Sequence, residues 1–220
     1  MKFDNKIIAF IDLEFGTPYG LPDKFKIAYE IGIVIYDYPN QKYITCINKQ
    51  IKMDFPLIVA KSIQNKGKTQ KESFLRMVDG ATKTEYDGNF VLNSTDTRIL
   101  KNKFFYNMKF VGKFIDDNLK DKNIDFVVFY NEKKDLQIIN RAYSVYKNNP
   151  KFEFKTIDVF REIQKMGISP SLSFLYNKLS DNKMEMHKAI NDAEATKVVF
   201  DNFYTSSEVF YNKVFVKKTL

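Results

Sequence analysis

The sequence has one cysteine and one histidine in 220 residues. The single thiol, Cys46, excludes a disulfide framework within the chain and any zinc site built from cysteines. His187, the sole imidazole, likewise excludes a multi-histidine metal centre. No run of about 18 apolar residues is present, and the N-terminal MKFDNKIIAFIDLEF carries acids where a signal peptide keeps its apolar stretch clean. The expectation is a soluble, intracellular protein, placed in the cytoplasm. The length suits one large domain or one domain with a sizeable insertion, whereas two full domains would be cramped. Charge is plentiful: 35 Lys and Arg against 27 Asp and Glu leave +8, and 44% hydrophobic residues suffice for a core. Such a surplus attracts polyanions. It also accompanies a general richness in Lys, Asn, Ile, Phe and Tyr, so charge alone does not distinguish a nucleic-acid binder from a merely basic protein.

Residues 6–15, KIIAFIDLEF, are apolar on both parities until Asp12 and Glu14, the pattern of a central strand buried on both faces. Residues 29–37 repeat it and 41–51 alternate more weakly, with Tyr38-Pro39-Asn40 as the turn between them. From about 60 to 103 the texture becomes basic and polar. Asp87-Gly88 there suits a tight hairpin turn, so this segment reads as an insertion with a small β-hairpin inside a single domain spanning 1–220. Helical spacing comes next at 104–119, then a short buried strand at 125–130. Beyond these lie a helix with Leu136, Ile139, Ala142, Tyr143 and Tyr146 on one face, a strand at 152–160, and helices at 171–179 and 189–203. That order predicts an α/β domain with a mixed sheet flanked by helices.

Asp12 and Glu14 are two apart on a strand, so their carboxylates project from one face. Burying like charges side by side is costly unless cations neutralise them, although strand-end acids can also meet a lysine or reach solvent. Asp135, in the first turn of a helix after a buried strand, fits an ordinary acid at a helix N-terminus, where the dipole favours it, although the same turn could bring its carboxylate over the strand ends. His187 precedes Asp192 by five residues. Five helical steps separate side chains by about 140°, so His187 is expected in the loop before the helix and Asp192 in its first turn. Taken alone, a single histidine also fits a surface or core position.

In combination these residues are more specific. An Asp-x-Glu ending the first strand in FIDLEF, the acid closing YNEKKD, and the His-x-Ala-x-x-Asp pattern of HKAIND resemble the DnaQ-like exonucleases of the DEDDh type. The resemblance spans about residues 6–203, includes Glu30-Ile31-Gly32 as the second strand, and in FIDLEF is similar to the KapD and Eri-type branch associated with RNA. It implies a ribonuclease H-like five-stranded mixed sheet. Four features depart from it: Tyr130 stands where many members have His or Trp-Gly, Lys133 and Lys134 replace a more apolar run, Phe15 stands where proofreading members carry Thr, and 60–103 has no counterpart.

The resemblance implies a hydrolase that removes nucleoside 5′-monophosphates from the 3′ end of single-stranded RNA or DNA. Two Mg²⁺ or Mn²⁺ ions about 4 Å apart would serve it. Asp12 would bridge them, Glu14 and Asp192 would hold the nucleophile-side ion, and Asp135 would act on the second through water. His187 would be the general base. Phe15 or Tyr19 would stack on the terminal base, or else simply pack. Lys61, Lys66, Lys68 and Lys71 in the insertion could track a phosphate backbone, or form a solvated charge run. Two other readings stay open: a proofreading subunit acting beside a polymerase, and an inactive nucleic-acid-binding regulator.

Overall fold

A computed structural model of the chain describes residues 3–16, 26–51, 97–148 and 152–215, with only the backbone described for 97–103. Five strands, β1 (Ile7–Gly16), β2 (Ile27–Asp37), β3 (Lys42–Gln50), β4 (Phe126–Phe129) and β5 (Thr156–Asp158), form one sheet in the order β3-β2-β1-β4-β5. The first three make the expected antiparallel meander, while β4 runs parallel to β1 and β5 parallel to β4. The helices are α1 (Thr97–Leu119), α2 (Lys133–Lys147), α3 (Val159–Gln164), α4 (Leu172–Leu179), α5 (Ala189–Thr205) and α6 (Ser207–Phe215). None among the described residues is long and apolar enough to cross a membrane.

β1 is central, and its two parities serve two cores. Ala9, Ile11 and Leu13 pack with β2 residues Ile31, Ile33 and Ile35 against Met108, Val111 and Ile115 of α1 and Ile139 of α2. Ile8 and Phe10 join Val34 and Tyr36 on the opposite face, against Val159 of α3, Leu175 of α4 and Val199 and Phe200 of α5. Each such buried aliphatic or aromatic side chain contributes roughly 1.5–3 kcal/mol. By strand alternation Asp12 and Glu14 continue the Ile8 and Phe10 series, so they face α5. In β2, Gly32 and Glu30 continue the Val34 and Tyr36 series on that same face.

Two boundaries and one added helix differ from the sequence reading. The strand expected at 152–160 is only Thr156–Asp158, because the Asp158 side chain accepts the Arg161 N–H and starts α3 at Val159. The apolar pair Val159-Phe160 is thus helical. The first helix begins at Thr97 rather than 104, taking the end of the segment assigned to the insertion. The rest of that segment, with its Asp87-Gly88 hairpin and lysines, lies outside the described residues. A last helix, α6, has no counterpart in the sequence reading; it seals the second core with Phe210 and Val214. On α2 the buried face holds Ile138 alongside Ile139, Ala142 and Tyr143.

Candidate active site

The site lies at the carboxyl end of β1. Asp12 and Glu14 come from that strand, directly opposite Gly32 and Glu30 of β2. A ladder irregularity between Glu14 and Phe15 ends the regular pairing there. Parallel pairing of β4 with β1 brings the chain leaving β4 to the same end of the sheet, and α2 starts there. Its first-turn acid, Asp135, is buried. α2 is held by close packing on α1, where a Cβ on Gly112 would meet the Ala142 carbonyl oxygen at 2.6 Å.

The turn into α2 depends on a residue that sequence reasoning did not single out. Asp158, at the end of β5, accepts the backbone N–H groups of Asn131 and Glu132 at 2.9 and 3.2 Å, besides capping α3. Asn131 adopts φ 65 in this turn. An acid whose neighbours in sequence read as a continuing strand carries no local sign of such a contact.

The third element is α5. A Cβ on Gly32 would come within 2.2 Å of the Ala189 backbone, so the helix start lies directly on β2 because position 32 has no side chain. That approach carries Asp192 over β1. His187 sits in the preceding loop, as its spacing predicts, with φ 66, and its backbone N–H donates to Asp192 Oδ1 at 3.2 Å. Asn191 Nδ2 donates to the Glu185 carbonyl at 2.6 Å and ties the same loop to the helix. Glu14, His187 and Asp192 offer ligand atoms within 4.8 Å of one another.

Electrostatics joins the remaining acids to these three. Burial raises the Asp12 carboxyl well above its ordinary range, and the charges of Asp135, Asp192, Glu14 and Glu30 push it further. Glu14 rises to about 7 through burial and the charges of Asp192 and Glu30, against a hydrogen bond from the Tyr29 hydroxyl. Burial and the charges of Glu14 and Asp158 raise Asp135 to about 8, opposed by the N–H groups of Leu13 and of Asp135 itself. Asp192 rises to about 6, again mainly through burial, with His187 opposing and Glu30 adding to the shift. No Lys or Arg ion pair reaches any of these four acids among the described residues.

Protonation or a cation relieves the repulsion in such a cluster, and its donors suit a hard cation. They are carboxylate oxygens with one imidazole and no thiolate. Asp135 Oδ1 is buried without a hydrogen-bond partner, an acceptor left for something other than the protein. Phe15, next to Glu14, is half-buried against the first core. Tyr19 lies outside the described residues.

No family model and no curated protein matches the sequence. Solved structures do match. The nuclease domain of 3′hExo, a DEDDh family member bound to rAMP, aligns with TM-score 0.53 and 16% identity over 91% of this chain and 92% of that one. E. coli Exonuclease I in complex with a dA16 oligonucleotide aligns with TM-score 0.56 and 13% identity over 93% of this chain, which spans only 42% of that protein. A 3′-exonuclease solved in the recognition of a histone mRNA stem-loop aligns with TM-score 0.50 and 15% identity, over 91% of this chain and 82% of that one. The chain therefore has the DnaQ-like exonuclease fold, a ribonuclease H-like mixed sheet flanked by helices.

Proposed function

We propose that this protein is a DEDDh-type 3′→5′ exonuclease, a hydrolase that cuts the terminal phosphodiester of single-stranded nucleic acid and releases nucleoside 5′-monophosphates. The observation that carries the reading is the convergence of Asp12, Glu14, Asp135 and Asp192, none ion-paired among the described residues, beside the only histidine of the chain. Asp12, Glu14, Asp135 and Asp192 would hold two divalent cations, Mg²⁺ or Mn²⁺. Bound there, the cations supply Lewis-acid polarisation of the attacking water and the scissile phosphate and offset the developing negative charge.

The chain's own residues do the rest. His187 stands at the open edge of the cluster, exposed, and a ring nitrogen would take the proton of the attacking water. Its backbone N–H, held by Asp192 Oδ1, keeps the imidazole loop beside the carboxylates. Asp158 fixes the turn that delivers Asp135, and Gly32 fixes the height of α5, so the acids are pre-placed by packing rather than gathered by the ligand. Phe15, and Tyr19 beyond it, are the aromatic candidates for stacking on the last base.

A nucleic-acid 3′ end as substrate is supported by the neighbours: one is bound to rAMP, one is in complex with a dA16 oligonucleotide, and one recognises the 3′ end of a histone mRNA stem-loop. The test is digestion of 5′-labelled RNA and DNA oligonucleotides of matched sequence with Mg²⁺, Mn²⁺ or EDTA. A ladder shortening from the 3′ end that EDTA stops is expected. Metal-independent cleavage, or none, would overturn the reading.

A further inference from the structure

β2 places a fifth carboxylate at the site that no signature position includes. Glu30 is directly opposite Glu14 in the β1–β2 ladder, and two residues from Gly32 on the same strand face. Residues so paired project from one side of a sheet, their Cβ atoms about 4.5–5.5 Å apart. The α5 start rests on Gly32, two residues along the same strand face, and the charge of Glu30 reaches both Glu14 and Asp192.

Glu30 is only 7% exposed. Its Oε1 is buried and has no hydrogen-bond partner, and no ion pair reaches the side chain among the described residues. A purely structural buried acid does not look like this. Asp116 and Asp158, comparably buried, each meet a cation: Lys147 at 2.6 Å and Arg161 at 3.4 Å. The charge of Glu30 is instead felt at three acids, Asp12, Glu14 and Asp192. Lys188 feels it too, but its ammonium pairs with Glu185 at 2.7 Å. An unsatisfied carboxylate persists in a native fold when something outside the protein completes it.

We propose that Glu30 is a positioning residue of the cation centre, its free Oε1 accepting a hydrogen bond from water carried by the cation that Glu14 and Asp192 hold. The inference rests on the exonuclease reading, because it presumes that a cation occupies the cluster. Outer-sphere acceptors of this kind orient the ligands and set affinity, and their loss weakens metal binding by about 10–100-fold. Glu30 thereby acts through Glu14 and Asp192 rather than on the substrate.

The experiment is calorimetric titration of Mn²⁺ into the full chain, wild type and Glu30→Gln, with the melting temperature of each recorded in EDTA and in Mn²⁺. The amide keeps the shape and removes the charge. Glu30→Gln is expected to bind Mn²⁺ about 10–100-fold more weakly, to melt higher than wild type in EDTA, and to gain less from Mn²⁺. Wild-type affinity in Glu30→Gln would overturn the proposal and leave Glu30 a buried structural acid. Failure of the wild type itself to bind Mn²⁺ would sink the exonuclease reading instead, so the two failures are distinct. Should Glu30→Gln not fold, Glu30→Asp is titrated: weakened Mn²⁺ binding supports the proposal, and unchanged binding overturns it.

Discussion

The two ends of β1 and β4 treat acids in opposite ways. At the amino end, Asp125 meets Lys6 Nζ at 3.0 Å and accepts the Ile7 N–H at 2.9 Å. Burial alone would raise its carboxyl, but the Ile7 N–H, the Lys6 hydrogen bond and the charges of Lys6 and Lys155 hold it below the ordinary range. At the carboxyl end of the same strands, Asp12, Glu14, Asp135 and Asp192 have no such cation and all are raised. The chain has cations to spare, with a net charge of +8. Leaving the carboxyl-end acids without a lysine or arginine partner costs stability at that end of the sheet, which is the arrangement the proposed cation site would need.

The largest expected effect comes from removing an acid at the carboxyl end. Asp12→Ala and Asp192→Ala should each abolish hydrolysis while raising the melting temperature in EDTA, because the remaining acids repel less. Wild-type turnover in either variant with Mg²⁺ would show that the unpaired acids are not the reaction centre.

Next in size, His187→Ala should slow the reaction about 10²–10⁴-fold, the usual worth of a positioned general base, with Mn²⁺ binding retained. The chain has no second imidazole to substitute. Comparison of pH–rate profiles at saturating Mn²⁺ tests this: identical acidic limbs in wild type and variant would exclude His187 as the base.

Gly32→Ala should cost about 1–3 kcal/mol in stability and reduce activity about 10²-fold, since the added Cβ drives the α5 start off β2 and displaces Asp192. Denaturant melts alongside activity assays distinguish this from simple unfolding. A fully active, equally stable variant would mean that the helix height is unimportant.

Metal-free stability should also depend on pH in the direction opposite to ordinary acid denaturation. The folded-state pKa values of Asp192, Glu14 and Asp135, about 6, 7 and 8, lie above their ordinary carboxylate values of 3.8, 4.5 and 3.8. The native state then binds more protons than the unfolded chain through this range. Their contribution is fully present below about pH 4 and is lost as pH rises through 6 to 8. Melting temperature in EDTA should fall between pH 5 and 8 relative to the Mn²⁺-loaded protein, and parallel curves would contradict the charge cluster.

Asp125→Ala, at the amino end, gives the smallest effect. It should cost about 1 kcal/mol, a partly exposed ion pair and one backbone hydrogen bond, and leave hydrolysis unchanged. A large loss of activity there would break the distinction between the two ends.

Much of this was legible in the order of residues. Double-parity apolar runs marked β1 and β2 as central strands, and helical spacing marked α2 and α5, because burial on one or both faces constrains every second or every third-to-fourth residue. The placement of His187 before α5 came from helical geometry alone. Short apolar stretches were ambiguous: Val159-Phe160 fits strand or helix equally, and the Asp158 cap, a contact made at the start of α3, decided it. α6 was invisible because its pattern is weak, with Val209 exposed and only Phe210 and Val214 buried.

By itself, then, the sequence determined which residues line which face of each strand and helix, since periodicity is local. Its resemblance to the DnaQ-like exonucleases also marked five candidate acid and histidine positions. Only the tertiary structure decided that Asp12, Asp135 and Asp192 share one space, because that depends on β4 running parallel to β1 and on α5 resting on Gly32. It alone assigned Asp158 to the turn before α2 and left Glu30 Oε1 without a partner. Whether a buried acid is satisfied depends on neighbours far away in the chain, and no local pattern records them.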